Sequence, residues 1–222
     1  PYIYIGGGAA GLGLGDEVME LAEKIDGCIG CTFMGLSAIP DGCERFLGMQ
    51  GMHGHYASSI AQNEADIIIG IGVRFSDRAT GNVAKFAKNS RIIQLDPDFA
   101  EINKNVKVDC GIVGDVEDAF RRIDSLVTEK SNPEWMAKVE ELKKEEQRLE
   151  EEAHSRVGGK LPPKAVFDVI NEKKPAGTVI VTDVGQHQMW TAQYVKFDRT
   201  RRFVSSGGLG TMGFGLGAAI GA

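Results

Sequence analysis

The run Asp66-Ile-Ile-Ile-Gly-Ile71 carries no polar side chain after its aspartate. A strand with one wet face alternates apolar and polar positions, whereas an unbroken run suits a strand covered on both faces, as in a parallel sheet between helix layers. Short runs of the same kind stand at Tyr2–Ile5, Cys28–Phe33, Arg91–Leu95 and Cys110–Val113, with helical periodicity at Glu17–Lys24, Tyr56–Asn63 and Val116–Val127 between them. The expected class is therefore α/β, with a parallel sheet flanked by helices over residues 1–130.

Ser131-Asn-Pro133 breaks this pattern. Residues Glu134 to Glu152 hold eight acidic and four basic side chains, a local net of −4 out of −6 for the whole chain. Their apolar stripe is thin (Trp135, Val139, Leu142, Leu149), which predicts a solvated helix within a linker spanning 131–160. After Pro162-Pro163 a second α/β unit is expected over 161–222: a helix at Lys164–Glu172, a strand at Thr178–Thr182, a short helix at Met189–Tyr194, a strand at Arg202–Ser205 and a buried glycine-rich helix from Met212. About sixty residues with two strands make a small core, so this unit reads as incomplete. Both ends of the 222-residue chain run straight into apolar segments, as expected of an internal piece of a longer polypeptide.

The acidic balance argues against a nucleic-acid-binding face, and no apolar run approaches the length of a membrane span. Cys28-Ile-Gly-Cys31 has redox or metal spacing but lies in an apolar, strand-like run, which favours buried structural thiols and a reducing compartment.

The candidate sites fall at strand ends. Gly6-Gly-Gly-Ala-Ala-Gly11 fits G-x-G-x-x-G after a strand and before a helix, yet no carboxylate ends the second strand, so another nucleotide or a plain tight turn competes with a dinucleotide site. Gly48-Met-Gln-Gly-Met-His-Gly54 is a glycine-rich loop entering the Tyr56–Asn63 helix, whose N-terminus would favour an anionic group; packing is the alternative. Gly72-Val-Arg-Phe-Ser-Asp-Arg78 offers two arginines to an acidic ligand, unless Arg78 merely pairs with Asp77. Gln94-Leu-Asp-Pro-Asp98 offers carboxylates to sugar or ribityl hydroxyls, or else an Asx turn. In Asp183-Val-Gly-Gln-His-Gln-Met-Trp190, Gln186, His187 and Gln188 stand without a nucleophile and read as hydrogen-bond donors to a phosphate. The loop Ser206-Gly-Gly-Leu-Gly-Thr-Met-Gly-Phe-Gly215 would approach the same ligand with its backbone.

Taken in order, Gly51-Met-His-Gly54, Gly72 to Arg78, Asp96 to Lys104, Asp183 to Trp190 and Ser206 to Gly213 resemble the acetolactate (acetohydroxyacid) synthase catalytic-subunit family of thiamine-diphosphate enzymes along essentially the whole chain. The resemblance implies a Rossmann-like central domain binding FAD through Gly7, Gly8, His53, Gly54, His55, Tyr56, Gly72, Arg74, Arg78, Asp96 and Asp115, with no net redox role. It also implies a second domain that holds thiamine diphosphate through Gly185, Gln186 and His187 at the diphosphate, Gly210 at the aminopyrimidine and Met212 wedged between the rings. The implied reaction is decarboxylation of pyruvate and addition to a second 2-ketoacid, on the route to branched-chain amino acids. The family's activating glutamate and Mg2+ ligands belong to parts not matched here. No catalytic or metal-binding residue is therefore assigned within the chain, and the chain alone is expected to be inactive.

Ser76, Asp96-Pro-Asp-Phe99 and Gly217 depart from the family pattern; the first two bear on flavin contacts. The resemblance further implies 2-ketoacid substrates, a homodimer or homotetramer, a regulatory small subunit and a cytoplasmic location, with no nucleic-acid or membrane partner. Competing readings are a non-catalytic FAD or NAD module, and another thiamine-diphosphate enzyme such as a pyruvate oxidase or glyoxylate carboligase. A pure nucleotide module has no use for the second glycine loop.

Overall fold

A computed structural model of the chain describes residues 1–156 and 158–222. Val157, inside the segment expected as a linker, lies outside the described residues. The first unit contains strands β1 (Tyr2–Ile5), β2 (Cys28–Cys31), β3 (Phe46–Met49), β4 (Ile67–Ile71), β5 (Arg91–Asp96) and β6 (Cys110–Val113). Its helices are α1 (Gly7–Leu12), α2 (Gly15–Lys24), α3 (Tyr56–Glu64), α4 (Asp77–Thr80) and α5 (Val116–Leu126).

All six strands are parallel, in the order β3-β2-β1-β4-β5-β6. This is a doubly wound sheet, and its direction of progression reverses between β1 and β4. Such a reversal opens a crevice at the carboxyl ends of the strands, where ligands of this architecture sit.

Side chains alternate across the sheet as the pleat requires. Ile3 and Ile5 face the layer of α1, α2 and α5, where Leu14, Leu21 and Phe120 are buried. Tyr2 and Tyr4 face the opposite layer with Ala57, Ala61, Val139 and Leu142. There the Tyr2 hydroxyl meets Ser58 Oγ at 2.9 Å, and Tyr4 begins an aromatic row through Phe75 to Phe86, with 5.9 Å between successive ring centres. Cys28 and Cys31 are buried free thiols of β2.

Helix α6 (Pro133–Ser155) covers the expected solvated segment and packs on α3 through buried Val139 and Leu142. Asp26 anchors its start: the carboxylate takes the Asn132 backbone N–H at 2.8 Å and pairs with Arg45 at 2.8 Å. The second unit comprises α7 (Pro163–Lys173), β7 (Ile180–Thr182), α8 (Gln186–Tyr194), β8 (Phe203–Ser205) and α9 (Phe214–Gly221). β7 and β8 pair in parallel over a small core of Phe167, Val195 and Phe197.

Several boundaries differ from the sequence expectations. The Gly6–Gly11 motif precedes the expected helix, α2, but also forms a short helix of its own, since α1 starts at Gly7 and ends on Gly13 in the left-handed conformation. β3 occupies part of the segment read as a glycine loop, because Leu47 and Met49 turn inward while Gly48 lets the chain turn under the His55 ring. α8 begins three residues early, directly on the strand-end motif. The helix from Met212, expected to be buried, is exposed: Leu216 is 78% and Ile220 81% accessible, while Gly215 at its start lies against the end of β7.

Candidate cofactor sites

At the β1/β4 reversal the first site is built by backbone. Gly6 N–H donates to Ile71 O at 3.0 Å and Gly8 N–H to Gly72 O at 3.3 Å. A β-carbon on Gly6 would stand 2.0 Å from Gly72 O, and one on Gly8 2.8 Å from the Gly72 α-carbon. These glycines thus serve first to let two loops touch, and the touching loops form the floor of the crevice. Beyond Gly72, buried Val73 and Phe75 alternate with exposed Arg74, Ser76 and Arg78. Phe75 holds φ +45 with its ring in the aromatic row, which directs Arg74 outward on one side and Ser76 on the other. Arg78 pairs with its neighbour Asp77.

On the other side of the crevice lies the end of β5. Asp96 Oδ1 accepts the Asp98 N–H at 2.9 Å, forming the Asx turn, and burial raises the Asp96 carboxyl above its ordinary range. Glu101 sits beside it with Oε1 on Lys104 at 2.5 Å, while its buried Oε2 has no donor among the described residues. An unpartnered buried carboxylate oxygen is costly and calls for a donor such as a hydroxyl. Asp115 caps α5 through the Asp118 N–H at 2.9 Å.

The loop from Gly51 to Tyr56 forms a third wall. The start of α3 does not await an anion, as the sequence suggested, because Glu146 of α6 already occupies it. Glu146 Oε2 accepts the Ala57 N–H at 2.9 Å and Oε1 meets His55 Nδ1 at 2.6 Å. Burial alone would raise the Glu146 carboxyl, but the His55 bond and the α3 amides hold it below its ordinary value. His53 and Tyr56 remain exposed, and Gly54 is packed against the Met49 and Gln50 backbone.

The second site gathers the two C-terminal motifs. Asp183, just past β7, accepts N–H groups from Gly213 at 2.9 Å and Phe214 at 3.2 Å, pinning the glycine loop beside the start of α8. A β-carbon on Gly215 would come within 2.9 Å of Asp183 N, so α9 crosses the strand end closely. Gly185 caps α8 with φ +148, leaving Gln186 and His187 exposed in its first turn. A nine-residue helix with an open first turn favours a phosphate. Gln188 is different: its Nε2 donates to Ser205 Oγ at 2.7 Å, and that hydroxyl also meets Thr182 Oγ1 at 2.8 Å. Of the three polar residues read as phosphate donors, Gln188 is therefore spent on joining β7, α8 and β8. Gly210 has φ +64, and Met212 is exposed.

The two sites touch. Gly207 rests against Phe33 and the Met34 sulfur, where a β-carbon would stand 2.4 Å from Sδ. Gln193 Nε2 donates to His53 O at 2.9 Å, and the Arg202 N–H to Ser37 Oγ at 3.1 Å.

Comparison with known families agrees with this geometry. The profile described as "Thiamine pyrophosphate enzyme, central domain" matches residues 1–123. That described as "Thiamine pyrophosphate enzyme, C-terminal TPP binding domain" matches residues 183–222. The chain belongs to the thiamine pyrophosphate enzyme family. Among its relatives are the acetolactate synthase isozyme 3 large subunit of Escherichia coli, 38% identical over 100% of this chain and 39% of that protein, and a probable acetolactate synthase large subunit of Methanocaldococcus jannaschii, 41% identical over 100% and 38%. Acetolactate synthase 1, chloroplastic, of Nicotiana tabacum is 37% identical over 100% and 33%. The chain thus spans about two fifths of the length of the first of these relatives. Among the described residues no helix is long and apolar enough to cross a membrane.

The structure adds three residues that the sequence did not single out. Glu101 was read only as part of the Asp96 to Lys104 stretch, and its orphaned oxygen appears only once β5 and the following turn are built. Glu146 lies 91 positions from His55 on a helix whose composition is that of a solvated face. Ser205 had no signal beyond ending a strand.

Proposed function

We propose that the chain is the central and diphosphate-binding portion of an acetolactate synthase large subunit, which condenses two 2-ketoacids with loss of CO2. In this reading residues 1–130 form a flavin unit, 131–160 a linker helix and 161–222 part of the thiamine-diphosphate unit. The observation that carries it is the Asp183 clasp, which sets the open first turn of α8 beside the Ser206–Gly213 loop. The relatives' names supply the reaction.

Both groups fit the residues present. FAD would lie in the β1/β4 crevice, with Gly7, Gly8 and Gly72 below it, Arg74 and Arg78 at its phosphates, the His53–Tyr56 loop with Gly54 and His55 at its side, and Asp96, Glu101 and Asp115 at hydroxyl groups. The orphaned Glu101 Oε2 supports such a donor. Thiamine diphosphate would be held by Gly185, Gln186 and His187 at its phosphates and by Gly210 and Met212 nearer its rings. The chemistry thiamine diphosphate supplies when bound is decarboxylation of a 2-ketoacid and carbon–carbon bond formation. The chain's own task is to bind and orient: helix α8 would present its first-turn N–H groups to the phosphates, with Met212 exposed and available to the rings. Mg2+ would accompany the diphosphate on ligands outside this chain.

An oligomer, a regulatory small subunit and a cytoplasmic location are further parts of this proposal; the buried free thiols Cys28 and Cys31 suit a reducing compartment. The test is acetolactate formation from pyruvate by the complete protein supplied with thiamine diphosphate, Mg2+ and FAD. Gln186→Ala and His187→Ala should each raise the thiamine diphosphate concentration needed for half-maximal rate. Absence of acetolactate under these conditions would overturn the assignment.

A further inference from the structure

The loop from Gly51 to Tyr56 is gripped by groups from three directions. Glu146 of α6 holds its end, through His55 Nδ1 at 2.6 Å and the Ala57 N–H at 2.9 Å. Gln193 of α8 holds its middle, through His53 O at 2.9 Å. The Arg78 carbonyl accepts the Met52 N–H at 2.9 Å, tying the loop to the arginine turn. Beneath it the His55 ring lies on Gly48, where a β-carbon would stand 2.4 Å from the ring Cδ2.

Two of these grips come from elements outside the six-stranded sheet. A helix of this amphipathic composition could have packed by its apolar stripe alone. Instead Glu146, only 18% exposed, turns toward the sheet domain and supplies the charge that an open α3 terminus attracts. A charge-assisted contact of this kind fixes geometry as well as adding stability. The Gln193 bond is neutral and peripheral, but it belongs to the helix whose first turn carries Gln186 and His187.

We propose that Glu146 and Gln193 are positioning residues that clamp the Gly51–Tyr56 loop from two sides, so that the linker helix and the diphosphate helix together set the surface this loop offers to a flavin. The inference rests on the flavin assignment above. Its consequence is that the two cofactor units are mechanically joined at His53 to His55, and a substitution in the linker helix changes flavin affinity through His55 and its loop without replacing any residue assigned to the flavin.

The test combines two readouts on the complete protein. Amide exchange of Met52 to Ala57 reports the clamp with no cofactor present. Flavin fluorescence titration with FAD reports its effect on binding. Glu146→Ala should speed exchange of these amides and weaken FAD binding, each by about tenfold, the worth of a hydrogen bond to a charged group, while amides of β1 and β4 keep their protection. Glu146→Gln, which keeps one of the two acceptor oxygens and loses the charge, should recover part of both losses, and Gln193→Ala should show a smaller effect centred on His53. If Glu146→Ala does not fold, Gln193→Ala carries the test, with faster exchange expected at His53. Unchanged exchange in the folded variants overturns the clamp. Faster exchange with unchanged FAD affinity overturns the positioning role and leaves a structural contact. Failure of the unaltered protein to bind FAD, with exchange responding as expected, overturns the flavin assignment and not the clamp.

Discussion

Gly72 lies so close to Gly8 that a β-carbon on Gly72 would stand 2.6 Å from the Gly8 α-carbon. Gly72 also has φ +59, so both its space and its backbone conformation exclude a side chain. Gly72→Ala should therefore destabilise the central unit by about 2 to 4 kcal/mol, from left-handed strain plus overpacking. Denaturant unfolding checks it. Gly13→Ala is the control: it has the left-handed conformation but open space around it, and should lose only the strain part.

The cysteines should separate by reactivity. Burial pushes the Cys28 thiol up to about 12 and raises Cys31 as well, so neither presents a thiolate near neutrality. Cys110 is exposed on the edge strand β6. A thiol reagent should label Cys110 rapidly, and Cys28 and Cys31 only as the chain unfolds. Mass spectrometry of a labelling time course would show this order, and early labelling of Cys31 would contradict the buried β2.

The Asp183 clasp should be acid-sensitive. The Gly213 N–H holds the Asp183 carboxyl below its ordinary value, helped by Val184 and Phe214 and opposed by slight desolvation. With the folded pKa depressed, the contact contributes fully above the ordinary carboxylate range and is lost as pH falls through the lowered value. The Gly213 amide resonance should move with a midpoint below that of a free aspartate, and in Asp183→Asn the movement should vanish.

Neighbouring glutamines should behave oppositely. Gln188→Ala removes a donor to the part-buried Ser205 and should cost about 1 kcal/mol of stability. Gln186 is exposed in the first turn of α8, so Gln186→Ala should leave stability unchanged and weaken thiamine diphosphate binding. Thermal melts beside cofactor titrations would distinguish the two.

Unbroken apolar runs made β1 and β4 legible to the residue, since strands covered on both faces have few alternatives; β6 was found by the same run although it is a largely exposed edge strand. The same criterion hid β3, whose burial alternates and whose last two residues open the Gly48–Gly54 stretch read as a loop, and glycine's low helix propensity hid α1. The buried helix expected after Met212 was inferred from composition, and composition does not say what an apolar helix finds to pack on. Motif order placed the two halves of the C-terminal site together correctly, because a strand end and a glycine loop are local signals. The division of labour between Gln186 and Gln188, and the seating of Glu146 at α3, depend on where distant elements land, and no local pattern carries that.

The central pair of the sheet, β1 and β4, joins Tyr2 to Ile68, residues far apart along the chain. Each outer half is assembled from shorter connections, β1-β2-β3 on one side and β4-β5-β6 on the other. Closing the middle last is entropically favoured, because long loops are cheaper to close once both partners are ordered. Synthesis on the ribosome would therefore produce a three-stranded sheet whose four-residue β1 edge stays open until β4 emerges. Until then the very strand that later anchors the crevice is the chain's most vulnerable point for pairing with another molecule.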